Sequence, residues 1–202
     1  MKVIGMKIIQ DFEDSYYPKK SRILGNCYTV LLGEHAYHYE FILKDKEATI
    51  KTDSRECIED VIEVFRRENR YISLFRTTDS TFYKSYDETM TFKLPISILQ
   101  VSEFFLNSTH LDLLKSALDY DQLYVPVAII EDEYVLLGRH HEVYLAQTEG
   151  IKMVEVYLDN LKENTIDYIY IAKEQNIRHI EDMKLLEETE YTAISEQFKN
   201  LF

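Results

Sequence analysis

An α+β fold is what this chain predicts, and three observations predict it. Residues 1–90 are mostly strand-like runs of aromatic and β-branched residues with a single helical apolar repeat among them. Residues 91–160 interleave apolar strands with helices, and the segment 161–202 gives one further strand followed by helices. The reading is therefore a small β-rich sheet domain with one helix, an α/β domain, and a strand plus helical C-terminal extension.

The elements follow in order. Val3 to Ile9 is an apolar strand, Asp11 to Ser21 a polar loop around Pro18, and Arg22 to Leu32 a second strand. Gly33-Glu34 turns the chain into the aromatic strand His35 to Leu43, and Asp45-Lys46 turns it again before Ala48-Thr49-Ile50, which makes a meander. Asp53, three residues before Glu56, has the form of a helix cap. Ile58, Val61, Ile62 and Phe65 then repeat at helical spacing, so a helix is expected over 54–69. Tyr71 to Arg76 and Thr81 to Tyr86 return to strand.

Asn107-Ser108 can cap a helix that turns Leu111, Leu114 and Leu118 inward. Residues 124–130 and 133–137 form a hairpin across an acidic turn, and the helix that follows ends at Gly150. Met153 to Leu158 is the next strand. Ile166 to Ala172 reads as a strand by its alternation, Ile180 to Leu186 as a helix, and Glu188 to Leu201 as the last helix.

Composition excludes several classes. With 202 residues, 46% of them hydrophobic, the chain can bury a real core, and no apolar run approaches the length of a membrane span. A soluble cytoplasmic protein is the expectation. Cys27 and Cys57 stand apart from any CxxC pair, so two buried free thiols are expected rather than a disulfide framework or zinc knuckle. The net charge is −13, and the only cations between 91 and 160 are Lys93, Lys115, Arg139 and Lys152. A duplex-binding face needs clustered cations, so direct DNA binding and nuclease chemistry are disfavoured.

The informative stretch is Leu136-Leu137-Gly138-Arg139-His140-His141. An apolar strand meets a helix through one glycine, and the first N–H groups of a helix lack intrahelical partners, which is the local chemistry of an anion site. Arg, His and His at the positive end of a helix also call for a compensating anion. The alternative is that Gly138 serves only the turn and the two histidines decorate a helix start.

Around this stretch, Leu94-Pro95-Ile96-Ser97, the helix after Ser108, Val125-Pro126-Val127, Ala146 and Gly150-Ile151-Lys152-Met153-Val154-Glu155-Val156 fall in an order and spacing that resemble the ParB N-terminal/sulfiredoxin-like superfamily. The resemblance spans about 91–160. It implies a ParB/sulfiredoxin-like domain in which Gly138, Arg139, His140 and His141 cradle the phosphates of a nucleotide such as ATP or CTP, with Mg²⁺. The motif is degenerate: Leu137 stands where relatives have Asp, Arg139 where sulfiredoxin has Cys, and His141 where the family has Arg. Without a thiolate beside Gly138, sulfiredoxin chemistry is lost.

Glu103 lies where catalytic relatives place an acid, and could act as base or hold Mg²⁺ through a nucleotide; its plainer role is an exposed Glu beside two core phenylalanines. The acidic turn 131–133 points its carboxylates in different directions, and His35 and His38 face opposite sides of a strand, so no metal site is assigned. Tyr16, Tyr17, Tyr37, Tyr39, Tyr83 and Tyr86 are candidates for a protein-binding face on the first domain, against ordinary sheet packing. Three functions follow: a regulatory or assembly-related binder of a nucleotide or other phosphorylated ligand with weak or no catalysis, a Mg-dependent phosphotransferase or nucleotide hydrolase resembling the free-serine kinase relatives with Glu103 as base, and a protein adaptor with a vestigial pocket.

Overall fold

The computed structural model describes residues 6–161 and 165–199. Val3 to Gly5 of the first expected strand, and Asn200 and Leu201 of the last expected helix, lie outside the described residues. The chain divides into two compact units, Met1–Thr89 and Met90–Phe202.

The first unit is a six-stranded sheet with two helices. Its elements are β1 (Met6–Gln10), α1 (Lys19–Ile23), β2 (Cys27–Leu32), β3 (His35–Lys44), β4 (Glu47–Thr52), α2 (Ile58–Arg66), β5 (Leu74–Thr77) and β6 (Tyr83–Ser85). Strands β1 to β4 form the expected antiparallel meander, and α2 carries the chain across to β5, which pairs with β4 in parallel. Helix α2 buries Ile58, Val61, Ile62 and Phe65. Phe65 stacks on Phe41 of β3 at a centroid distance of 3.9 Å and meets Phe75 of β5 edge-on. These rings seal helix to sheet, and ring pairs of this kind add to the area they bury.

Several local expectations need correction. The run from Arg22 is helical before it is extended: Pro18 at φ −56° sets up α1, Gly25 at φ +69° ends it, and the strand begins at Cys27. Helix α2 starts at Ile58 because Asp53 is spent elsewhere, its carboxylate accepting from the His38 N–H at 3.0 Å and pairing with His38 Nδ1 at 2.8 Å. Tyr17 and Tyr39 are buried, Tyr17 donating its hydroxyl to the Tyr28 carbonyl at 2.5 Å, and so lie off any contact face; Tyr16 and Tyr83 are exposed. Cys27 is a buried free thiol pushed up to about 12 by burial, whereas Cys57 is only partly covered.

The second unit holds β7 (Thr91–Pro95), β8 (Leu99–Gln100), β9 (Phe105–Asn107), α3 (Ser108–Lys115), β10 (Tyr124–Ile130), β11 (Glu133–Leu136), α4 (His140–Thr148), β12 (Met153–Leu158), α5 (Thr165–Glu174), β13 (Lys184–Leu186) and α6 (Glu188–Lys199). Five strands form one mixed sheet in the order β7-β12-β10-β11-β8. The β10–β11 hairpin closes through Glu131 and Asp132, both left-handed at φ 50° and 65°, as a two-residue turn compatible with sheet twist requires. Asn107 caps α3 by accepting from the His110 N–H at 3.1 Å, and Leu111 and Leu114 face the core. Gly150 at φ 82° ends α4, and the Ile151 N–H returns to the Ala146 carbonyl at 3.0 Å.

Beyond residue 160 two expectations fail. Residues 166–172 are helix, not strand. Thr165, Ile169 and Ala172 are buried at helical spacing, and that face outweighs the alternation of β-branched and aromatic residues. Residues 180–186 are not one helix either. Asp182 accepts from the Arg178 and His179 N–H groups at 3.0 and 2.9 Å and closes a single 3-10 turn, after which β13 pairs in parallel with β9. Among the described residues, no helix is long and apolar enough to cross a membrane.

Candidate functional site

The junction between β11 and α4 is shaped by Arg139 rather than by its glycine. Arg139 takes the left-handed conformation, φ 64° and ψ 26°, at the cap position of α4, a strained place for a residue with a side chain. Gly138 is not left-handed, and a Cβ built on it would meet only Pro126 Cγ, at an ordinary 3.6 Å. The fold thus tolerates a side chain where the sequence has none.

Arg139 reaches forward three residues to Glu142, Nη1 to Oε1, at 2.9 Å. Burial by itself would raise the Glu142 carboxyl; the guanidinium of Arg139, the residue's own N–H and His141 outweigh it and hold Glu142 below the usual carboxylate range. Glu142 is buried, at 8% exposure, so the first turn of α4 already contains an anion. Sequence reasoning missed Glu142, although an acid three residues after the cap is a recognisable signal.

His140 is almost wholly buried, at 2% exposure. Its Nε2 lies 3.3 Å from the Ser102 N–H, which can only donate, so neutral His140 carries its proton on Nδ1. That Nδ1 is 3.4 Å from Glu103 Oε1, inside ion-pair range but without hydrogen-bond alignment, and it has no hydrogen-bond partner among the described residues. The Ser–His–Glu row is not a nucleophilic triad. Ser102 is buried and gives its hydroxyl proton to the Leu136 carbonyl at 2.5 Å, so its Oγ, 3.5 Å from His140 Nε2, directs no proton at the imidazole.

His141 is largely buried and accepts from the Asn107 N–H at 2.9 Å through Nε2. His110 and Tyr191 meet its ring edge-on at 5.0 and 6.2 Å. Burial, then the neighbouring His110, push His141 down to about 4, against the opposing pull of Glu103 and Glu142. It is neutral at pH 7, and its Nε2 is committed to the backbone of the β9–α3 corner.

Of the residues singled out in the sequence, Glu103 therefore joins Gly138, Arg139, His140 and His141 at the start of α4. The acidic turn lies elsewhere: Glu131 accepts from the Tyr170 hydroxyl at 2.9 Å, and Glu133 pairs with Lys173 at 2.8 Å. Among the described residues no group of three or more His, Cys, Asp or Glu side chains is placed to hold a metal ion.

No protein-family model matches the chain, and no curated protein matches it. Among the solved structures similar to part of it are two of bacterial proteins. One is protein Atu1540 from Agrobacterium tumefaciens, with 17% identity and a TM-score of 0.34 over 48% of this chain and 63% of that one. The other is the C-terminally truncated chromosome-partitioning protein ParB from Caulobacter crescentus, complexed with CTP-gamma-S, with 20% identity and a TM-score of 0.32 over 44% of this chain and 53% of that one. In both cases the chain spans less than two thirds of the other protein's length.

Proposed function

We propose that the start of α4 binds a nucleotide or another phosphorylated ligand in a regulatory or assembly-related role, with weak or no catalysis. The observation that carries this reading is the gathering of Arg139 and His140, with Glu103 beside His140, at a helix N-terminus whose preceding glycine the backbone does not require. The N–H groups of His140 and His141 lie before the first intrahelical bond, from Val143 to Arg139, and point out of the helix end. A phosphate there would accept from them and share Arg139 with Glu142. That sharing is the reason for restraint about catalysis. The cation is already paired and His141 is neutral, so the site lacks a free clamp for a transferring phosphoryl group.

Titration of the ¹⁵N-labelled protein with CTP and ATP, with and without Mg²⁺, tests the reading. Amide resonances from Gly138 to Glu142 should move saturably, and the melting temperature should rise; a ligand at a hundredfold its dissociation constant adds about 2.7 kcal/mol. Unmoved resonances with both nucleotides and with inorganic phosphate would end it. Glu103 is half exposed beside His140, as a base would need to be, which keeps Mg-dependent phosphoryl transfer as a second reading. Release of nucleoside diphosphate in the same samples, lost in Glu103→Gln, would select it.

Gly138→Ala separates ligand from fold. The added methyl group fits the protein, so folding stability should hold or rise by about 0.5 kcal/mol through the stiffened unfolded chain. Nucleotide affinity should fall at least about tenfold, because the methyl fills space that a phosphate would use. A variant that binds as well as the parent would remove Gly138 from the site.

A further inference from the structure

The sheet of the first unit carries α2 on one face and is open over much of the other. Phe41 stacks on Phe65 of α2, so the alternation of β3 turns His38, Glu40, Ile42 and Lys44 to the opposite face. The strand register carries that face onward: Lys51 and Thr49 of β4 stand beside Glu40 and Ile42, Arg76 of β5 beside Thr49, and Tyr83 of β6 beside Arg76. Helix α1 covers Glu40, where Ser21 donates to the buried carboxylate. Farther on, Ile42 and Tyr83 are 48% and 67% exposed.

Along the diagonal of this face, aromatic and cationic side chains follow one another strand by strand. Tyr83, Arg76, Lys51 and His38 lie on β6, β5, β4 and β3 in turn, and exposed Tyr16 stacks on His38 at a centroid distance of 4.1 Å. Ordinary strand spacing and rise put the two aromatic ends about 20 Å apart. Among the described residues neither Lys44 nor Lys51 has an ion-pair partner. Arg76 meets Glu47 at 3.4 Å with both side chains about half exposed, a pair worth little in water, so its guanidinium can be drawn to a stronger anion. The Asp53 carboxylate is held by His38 at 2.8 Å. In a chain of net charge −13, this face presents cations.

A partner that suits it carries repeated negative charge and flat rings free to stack. Duplex DNA has the charge, but its bases are stacked on one another, and a flat sheet offers no element to enter a groove. An acidic protein surface would meet the lysines and leave the aromatic ends of the diagonal unused. A single strand supplies both features, since its bases splay onto aromatic rings while lysine and arginine neutralise the phosphates between them.

We infer that this face binds single-stranded nucleic acid, with bases stacked on Tyr83 and on Tyr16 and phosphates paired with Arg76, Lys51 and Lys44.

The test is fluorescence anisotropy of end-labelled oligothymidylate and oligouridylate of about twelve nucleotides with the full chain. At least one should bind saturably at low salt, and the logarithm of its affinity should fall against that of salt concentration with a slope of about −2, as three neutralised phosphates on a single strand require. Tyr83→Ala should weaken binding about tenfold with slope and melting temperature unchanged, and Tyr83→Phe should keep parental affinity, because the ring does the stacking. Lys51→Ala, at an exposed position, should flatten the slope by about 0.7. Binding of neither oligonucleotide, a duplex of the same length binding as tightly, or undiminished binding by Tyr83→Ala would each overturn the inference, the last two outcomes marking a general polyanion or acidic-protein surface instead. Free nucleotide and phosphate, the probes of the α4 site, take no part in this experiment, so either reading can fail while the other stands.

Discussion

Acidification from pH 6.5 to pH 4 should remove up to roughly 3 kcal/mol of stability from the second unit through His141 alone. The native imidazole is held down to about 4, while in the unfolded chain it titrates near its ordinary value. Between those values the unfolded state binds the extra proton, so this contribution is complete above about 6.5, declines as the pH falls, and is used up below about 4. The chemistry is specific: protonating Nε2 would turn the acceptor of the Asn107 N–H into a second donor. The groups facing the ring are His110, Tyr191, His140, Glu103 and Glu142. Glu142 and Asp182, held below the usual carboxylate range, add losses of the same sign, but only where ordinary carboxylates titrate. NMR titration of the His141 ring gives the midpoint directly. Urea unfolding of His141→Gln, which keeps an acceptor for Asn107, should have a flatter slope between pH 5 and 6.5 than the parent. A ring that titrates near 6.5, or an unchanged slope, would refute the assignment.

Glu142→Gln should cost about 2 kcal/mol, the scale for removing one partner of a largely buried charged pair with some solvent access on the arginine side. It should also do something an ordinary core lesion would not. With the built-in carboxylate gone, Arg139 loses its bond to Glu142 and the first turn of α4 loses its anion, so phosphate and nucleotide affinity should rise about tenfold. Ligand should then recover part of the lost stability. Calorimetric titration with phosphate and CTP, beside unfolding curves with and without them, reads both effects. A destabilised variant indifferent to phosphate would leave Glu142 as a structural counter-ion and weaken the case for an anion site.

Much of the architecture was legible because it rests on periodicity. The apolar repeat of α2, the hairpin of β10 and β11, the Asn107 cap and the Gly150 stop are local patterns whose physics needs no distant partner. The corrections came where distant residues intervened. Asp53 has the form of a cap but is drawn to His38, and Ile166 to Ala172 alternate like a strand until Thr165, Ile169 and Ala172 find a face to bury. At the candidate site, the left-handed position fell on Arg139 and not on Gly138, one residue earlier. The approach of Glu103 to His140 spans the chain from β8–β9 to α4, and no spacing rule reveals it.

Asn107 ties three stretches of chain together. Its N–H holds His141, its side-chain carbonyl caps α3, and its amide donates to Glu188 at 2.7 Å, 81 residues downstream, beside the pairing of β9 with β13. A nascent chain growing at about ten residues per second would leave that corner unclosed for roughly eight seconds after Asn107 is made. Until then Leu106 and the His141 ring stand without their final cover, exposed to chaperones and to other unfinished copies.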